Sequence, residues 1–228
     1  MKNLFARGGI EFLAVLFGIS GSLWVDDYRV GLINKEKSIS TLNSLKDELI
    51  DDKEYFLNRH SMITDNNKIL NLIIDNWGYN NSDSLINLKF ERRNLMLRLR
   101  GYYAFHPPRT IYISLSSDGS LALIPDYELK RKINLVFNGR TKHLIEGAEN
   151  NRYLYRRFND YLIENHPKLL NPNLKGFNEE MDALLADQVI FAYLIEQQGL
   201  RSFLLRTIDN HLNEVNDLMN NIDLYLSE

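Results

Sequence analysis

The chain has 228 residues, of which 44% are hydrophobic and 25% are charged, with a formal net charge of −3. It contains no cysteine, which excludes disulfides, thiolate metal sites and a cysteine nucleophile. The part of the chain beyond residue 28 is long enough to form one helical domain with its own core.

The first feature along the chain is an almost unbroken apolar run over residues 10–25, IEFLAVLFGISGSLWV. On a helix with about 100° per residue, one side of this run carries small residues and the other side carries bulky ones. Small residues at four-residue spacing allow two helices to approach closely in lipid. We therefore expect a transmembrane packing face made of Glu11, Ala14, Gly18, Ser22 and Val25.

Sixteen residues on a helix span only about 24 Å, less than the thickness of about 30 Å of the hydrocarbon core of a bilayer. The membrane helix therefore needs the flanking residues to cross the bilayer. Trp24 and Tyr28 are aromatic residues of the type found at membrane interfaces, and charged residues follow them. The sequence thus predicts a membrane anchor over residues 1–28 and a helical-bundle domain over residues 29–228. A cleaved signal peptide and a buried helix of a soluble domain are the alternatives, and Glu11 argues against the signal peptide.

Glu11 itself has two interpretations, either at the bilayer edge in contact with headgroups or between helices, hydrogen-bonded or protonated. The short N-terminal tail and the Asp26 and Asp27 pair after the run favour a cytoplasmic N-terminus. The expected localisation is therefore the membrane, with a single pass and with the C-terminal domain on the periplasmic side.

No proline precedes residue 106, and the apolar spacing predicts that helix continues from residue 28 to 77. A break near residues 58–61 is the alternative, because an unbroken helix would project about 75 Å, longer than a compact domain needs. A turn follows at 78–84, then a helix at 84–104 that the prolines at 107 and 108 interrupt. Alternating residues make strand the competing prediction at 95–99 and 111–115.

After Thr110 we expect a short helix that ends in a turn at residues 116–119. Pro125 and Asp126 then open a helix that runs to about Asn165. The last linker covers residues 166–177, and helix resumes from Asn178 to the C-terminus. Together these elements predict an all-α fold, in which the transmembrane helix continues into an elongated bundle and the last helix returns along the first. Internal turns are expected near 78–84, 105–110, 116–126 and 166–177.

The charge is uneven, because residues 89–157 hold 14 Lys and Arg against 6 Asp and Glu, a local charge of +8 that leaves −11 for the remainder. Such a segment can face anionic headgroups or nucleic acid. No nucleic-acid motif accompanies the charge, so we expect no nucleic-acid partner. We expect the basic residues to lie on solvated surfaces or beside one acidic stretch, which comprises Asp47, Glu48, Asp51, Asp52 and Glu54.

Signatures of chemistry are absent from the sequence, with no phosphate-binding loop, no nucleophile elbow and no zinc helix. We expect no enzyme activity, no cofactor and no metal, and we assign the five histidines to surface or capping roles. The best candidate binding surface is a group of aromatic and basic residues, for which core packing is the alternative explanation. This group comprises Arg100, Tyr102, Tyr103, Phe105, Arg109 and Tyr112.

Two motifs carry a resemblance to a known family. The first comprises Glu11, Phe12, Leu13, Gly18, Leu23, Trp24, Val25, Asp26, Asp27 and Tyr28, and the second comprises Thr110, Tyr112, Leu115, Ser116, Ser117, Gly119, Leu121, Ile124, Leu129, Lys130 and Arg131. In these positions the chain resembles a bacterial family of single-span membrane proteins classified as a domain of unknown function. Asp118, inserted between Ser117 and Gly119, departs from the pattern. The resemblance implies an N-terminal anchor and a helical region, and it implies no activity.

These features predict a membrane-anchored assembly or interaction component that self-associates through its transmembrane helix. The expected partners are the lipid bilayer and either further copies of the chain or another membrane protein. Two alternatives remain. One is a ligand-sensing bundle coupled to the membrane helix, and the other is an oligomer whose membrane helices line a pore.

Overall fold

The computed structural model describes residues 2–77, 99–171 and 173–227, with side chains from residue 15 onward except that of Asn178. All regular secondary structure in this part of the chain is helical, which confirms the all-α prediction. The helices are α1 (Lys2–Asp75), α2 (Thr110–Ser117), α3 (Tyr127–Asn134), α4 (Thr141–Asn165), α5 (Phe177–Ala186) and α6 (Gln188–Ser227). A π-helical turn, Leu135–Arg140, joins α3 to α4, and short 3-10 turns cover Ser120–Leu123 and Pro167–Leu170.

Helix α1 is continuous over 74 residues, so the anchor helix continues into the bundle as predicted and the alternative of a break near residues 58–61 is wrong. Neither proline nor a helix-ending glycine interrupts it there, and side chains of other helices cover one of its sides from Ser38 onward. At about 1.5 Å per residue, α1 is roughly 110 Å long. The turn expected at 78–84 lies outside the described residues.

The bundle buries three apolar clusters in succession along α1, and α6 runs antiparallel to α1 past all three. The arrangement confirms that the last helix returns along the first. The first cluster contains Leu42, Leu45, Leu49, Tyr112, Ile124, Leu129, Ile133, Val136, Phe137, Val215, Leu218 and Ile222. The middle cluster contains Phe56, Ile63, Tyr103, Phe105, Leu144, Ala148, Leu204 and Ile208. The end cluster contains Ile69, Leu70, Ile73, Leu99, Phe158, Leu162, Leu169, Phe177, Met181, Leu184, Ile190 and Leu194.

Residues 101–109 have no regular secondary structure, so the helix expected at 84–104 is wrong for its last residues, and residues 84–98 lie outside the description. This segment runs from the end cluster, through the middle cluster, to the first cluster. Alternate rings at Tyr103 and Phe105 turn into the core, while the prolines at 107 and 108 exclude a helix just before α2. Residues 111–115 are helical, so the strand alternative there is also wrong.

The turns around α2 and α3 follow the sequence prediction. Helix α2 ends at Ser117, and Gly119 adopts a φ of 80°, a left-handed conformation that favours glycine. Asp126 caps α3, because its Oδ1 accepts a hydrogen bond from Leu129 N at 3.0 Å. From there helix continues through the π-helical turn to Asn165, as expected.

Helices α4 and α6 approach closely at Gly147. A Cβ atom placed on this glycine would lie 3.0 Å from Leu204 Cδ2 and 3.0 Å from Phe203 Cε1. Leu204 is fully buried, so the absence of a side chain at Gly147 sets the separation of the two helices.

The first part of α1 stands apart from the bundle. Its side chains at residues 15–33 are all exposed, including Phe17 and Trp24 at 71% each. Trp24 and Tyr28 stack on each other with ring centroids 6.2 Å apart. Among the described residues, no helix is both long enough and apolar enough to cross a membrane.

Candidate functional site

The most elaborate polar site lies inside the bundle, between the first and middle clusters, where α1 carries Glu48 and Asp52 one turn apart. Both carboxylates are only 2% exposed. Glu48 accepts hydrogen bonds from Ile111 N and Tyr112 N, each at 2.7 Å. Two backbone N–H groups in the first turn of α2 are thus satisfied by a carboxylate from another helix.

Asp52 pairs with His211 of α6, with Nε2 and Oδ2 2.6 Å apart, and His211 is fully buried. The ring of Phe56 packs edge-on against the imidazole, with centroids 4.5 Å apart. Because neither partner of this pair offers a surface to solvent, a substrate cannot reach it. The pair therefore ties α1 to α6 rather than presenting a reactive group.

Arg109, just before α2, supplies the positive charge of the site. Burial lowers the pKa of its guanidinium, while the negative charges of Asp52 and Glu48 act in the opposite direction. Tyr112 donates a hydrogen bond to Asn134 Oδ1 at 2.8 Å and accepts one from Asn138 Nδ2 at 2.6 Å. Burial raises the pKa of this phenol, against the opposing effect of the Asn138 hydrogen bond.

A second polar group lies at the other end of the bundle, around His166. Its Nδ1 lies 3.0 Å from Glu180 Oε1 and its Nε2 lies 3.1 Å from Asp187 Oδ2. Tyr161 also donates to Asp187 Oδ2 at 2.7 Å, and the other oxygen of Asp187 accepts from Val189 N at 2.7 Å, which caps α6. Burial acts to raise the pKa of Asp187, but hydrogen bonds from His166, Tyr161 and the backbone outweigh it and lower the pKa.

Neither polar group forms a metal site. Within the described ranges, no set of three or more His, Asp or Glu side chains has a geometry that fits a metal ion. His211 is buried in a carboxylate pair in the middle of α6, so the surface or capping role expected for it is wrong. His166 is also buried against carboxylates, but it occupies the C-cap of α4, which agrees with the expected capping role. One signal for His211 is in the sequence, since it occupies a core position between Ile208 and Val215 on α6.

The structure distributes the six residues of the expected binding surface over three places. Tyr103 and Phe105 lie in the middle cluster and Tyr112 in the first, which is the core-packing alternative. Arg109, three residues before Tyr112, belongs to the same place as Tyr112, within electrostatic range of Asp52 and Glu48. The other two residues lie near α4. Arg100 Nη2 donates a hydrogen bond to Asn159 Oδ1 at 2.5 Å, and the ring of Tyr102 packs on that of Tyr155.

One small pocket of about 290 Å³ adjoins this group. A larger open depression of about 460 Å³ lies at the foot of the bundle between α1 and the turn after α2. Residues lining the small pocket are Tyr102, Ala104, Phe105, His106, Ile145, Ala148, Glu149 and Arg152.

Several cations of the basic middle segment pair with acidic residues of α6. Lys132 Nζ lies 2.7 Å from Asp217 Oδ2, and Arg140 contacts Glu214 through two nitrogens at 2.6 and 2.7 Å. The hydrogen bond and charge of Glu214 raise the pKa of Arg140. The acidic partners of Lys132 and Arg140 therefore lie on α6, whereas the sequence prediction placed such partners at residues 47–54 of α1.

The side chains of Glu11 and Ala14, two members of the expected transmembrane packing face, lie outside the described residues. The other three members, Gly18, Ser22 and Val25, lie on the exposed part of α1. No atom of the described chain lies within 4 Å of the position that a Cβ atom on Gly18 would take. The interface anchors Trp24 and Tyr28 are the stacked pair on the same part of α1. Comparisons with family models, curated proteins and solved structures gave no match to this chain.

Proposed function

We propose that this chain is a membrane-anchored assembly component, held in the bilayer by residues 10–25 and self-associating through the transmembrane packing face. One observation carries the proposal. The α1 helix continues from the bundle into a segment whose bulky apolar side chains, from Val15 to Val25, are 46–71% exposed. Water is a poor solvent for such a surface, whereas lipid is a good one.

The polar groups of the bundle are largely buried while the apolar segment is exposed, and this difference in exposure favours assembly over catalysis. The carboxylates of Glu48 and Asp52 and the imidazole of His211 are buried in contacts between helices, where they stabilise the bundle. The unsatisfied surface is instead the apolar first part of α1, including Phe17, Leu23 and Trp24 at 60–71% exposure. A protein that exposes one apolar side of a helix is suited to binding another helix through that side.

Anchorage is tested by fractionating cells that express the full chain and washing the membranes with alkaline carbonate. We expect the chain to remain in the membrane pellet. A C-terminal reporter that is active only outside the cytoplasm tests the orientation. Recovery of the chain in the supernatant contradicts the anchor, and a cytoplasmic reporter signal reverses the orientation.

Self-association is tested by Gly18→Leu, with Ser20→Leu as the matched control on the opposite side of the same helix. Both changes add the same side chain to an exposed position, so neither disturbs the bundle. We expect cross-linking in membranes to fall for Gly18→Leu alone, because the bulk separates the helix backbones. Equal yields for the two variants rule out the packing face.

A further inference from the structure

Helix α1 has a second apolar side, which begins in its exposed first part and continues along the bundle, and the rest of the described chain leaves this side open. The first side is the core, in which leucines of α1 are fully buried. The second side consists of large aliphatic side chains that are 37–57% exposed: Val25, Leu32, Ile39, Ile50 and Leu57. We call these five residues the outer stripe.

The outer stripe is regular. Its members are separated by 7, 7, 11 and 7 residues, so at about 100° per residue they lie within about 40° of a single line along α1. The line is about 48 Å long at 1.5 Å per residue and roughly opposite the buried side of the helix. Scattered exposed aliphatic residues need no explanation, but a straight line of them at seven- and eleven-residue spacing gives α1 an apolar seam against which a second helix can pack.

Charges on the two flanks of the outer stripe indicate which partner it fits. One flank carries Lys35, Lys46 and Lys53, and the other carries Glu36, Asp47 and Glu54. Two parallel copies of α1, related by a twofold axis along the helices, bring the lysine flank of each copy against the acidic flank of the other. An antiparallel pair would bring like charges together.

Two details refine this charge argument. Lys46 already contacts Asp223 of α6 at 2.5 Å, so Lys35 and Lys53 are the lysines left for a partner. Asn43 falls on the line of the outer stripe between Ile39 and Ile50. A single asparagine in the apolar seam of a coiled coil fixes register and the number of helices at a cost in stability.

We propose that the outer stripe binds a second copy of this chain, forming a parallel two-helix coiled coil along α1 from Val25 to Leu57. The remaining helices of the two bundles then lie on opposite sides of the coil, because the outer stripe faces away from them. The inference extends the proposed self-association beyond the membrane, and it rests on the proposed anchor for the common direction of the two copies.

The chain has no cysteine, so each single-cysteine variant of the full chain carries one thiol only. The test variants are Leu32→Cys and Leu57→Cys, oxidised mildly in native membranes. The controls are Val30→Cys and Met62→Cys, at positions off the stripe with nearly equal exposure, 50% and 49% against 52% and 50%. We expect disulfide-linked dimers of twice the chain mass at Leu32 and Leu57, with yields at least about ten times those of the controls.

Charge reversal supplies an independent measurement on Leu57→Cys. We expect Lys53→Glu alone, or Glu54→Lys alone, to lower the cross-linking yield several-fold, because each sets like charges against each other across the coil. The double change exchanges the flanks and should restore the yield. Failure of the double change to restore the yield would contradict the parallel pairing.

Pelleting of the same variants with membranes separates this inference from the proposed anchor. A chain that pellets but gives no dimer at Leu57 overturns the coiled coil and leaves the anchor standing. A chain that stays in the supernatant and gives the dimer overturns the anchor and leaves the coiled coil standing. A cross-linked product whose mass identifies a different protein overturns the coiled coil, because the outer stripe then has another occupant.

Discussion

Removal of the Glu48 carboxylate is the sharpest test of the buried polar site. Glu48→Ala leaves the N–H groups of Ile111 and Tyr112 without an acceptor at a position where the side chain was 2% exposed. Hydrogen bonds to charged groups contribute about 1.5–3 kcal/mol each. The two bonds together predict a loss of about 3–5 kcal/mol in the free energy of unfolding, since some water reaches the cavity.

Glu48→Gln is expected to cost about half as much, because the amide keeps one oxygen acceptor and presents an N–H₂ group to the second donor. The control is Asp51→Ala on the same helix, an exposed position off the outer stripe where surface changes usually fall within about 0.5 kcal/mol. Urea unfolding of the full chain in mild detergent, followed by helical circular dichroism, gives the free energies.

Hydrogen exchange supplies a local measurement of the same effect. Amides of α2 should exchange faster in Glu48→Ala, because the carboxylate holds the first turn of that helix. If Glu48→Ala costs no more than Asp51→Ala in free energy of unfolding, and α2 keeps its protection, the carboxylate does not support α2 and the reasoning is wrong.

Two further predictions concern helix packing and pH. Gly147→Ala should lower the melting temperature, because overpacking against the buried Leu204 costs about 1–3 kcal/mol and outweighs a helix-propensity gain of up to about 1 kcal/mol. Gly199→Ala should raise the melting temperature, because no atom of the described chain lies within 4 Å of the new Cβ. A higher melting temperature for Gly147→Ala than for Gly199→Ala would contradict the close approach of α4 and α6. The pKa of Asp187 is below its ordinary value in the folded chain, so its contribution to stability is present above about pH 3.8 and is lost as the pH falls through the folded-state pKa. Asp187→Asn should therefore flatten the acid side of a stability-against-pH curve, and an unchanged slope would refute the assignment.

Local signals in the sequence predicted the helices and most of their ends. Asp126 precedes a helix and caps it, and Gly119 follows one in the left-handed conformation, so both act within a few residues of themselves. The π-helical turn was not predicted, because nothing in the residues around Gly139 distinguishes it from a regular helix. The segment at 101–109 was predicted as helix up to residue 104, because its apolar residues satisfy either spacing and only contacts with distant helices decide between them.

The buried polar site was not predicted because its contacts join residues far apart in the sequence. Glu48 binds amides 63 and 64 residues away, and Asp52 pairs with a histidine 159 residues away. The available signal was weaker: two acidic residues and one histidine occupy core positions of otherwise apolar helix sides. A charged residue at such a position requires a partner, and the sequence does not say which one.

The unbroken course of α1 makes the number of residues in its exposed part a mechanical parameter. Each residue inserted near Gly31 would turn everything above it by about 100° and lift it by about 1.5 Å relative to the apolar segment. An insertion of seven residues would nearly restore the original direction of the bundle about the α1 axis, whereas an insertion of one or two residues would leave the bundle facing a different direction. Because α1 has no break, a rotation of its apolar segment about the helix axis is transmitted as the same rotation of the bundle.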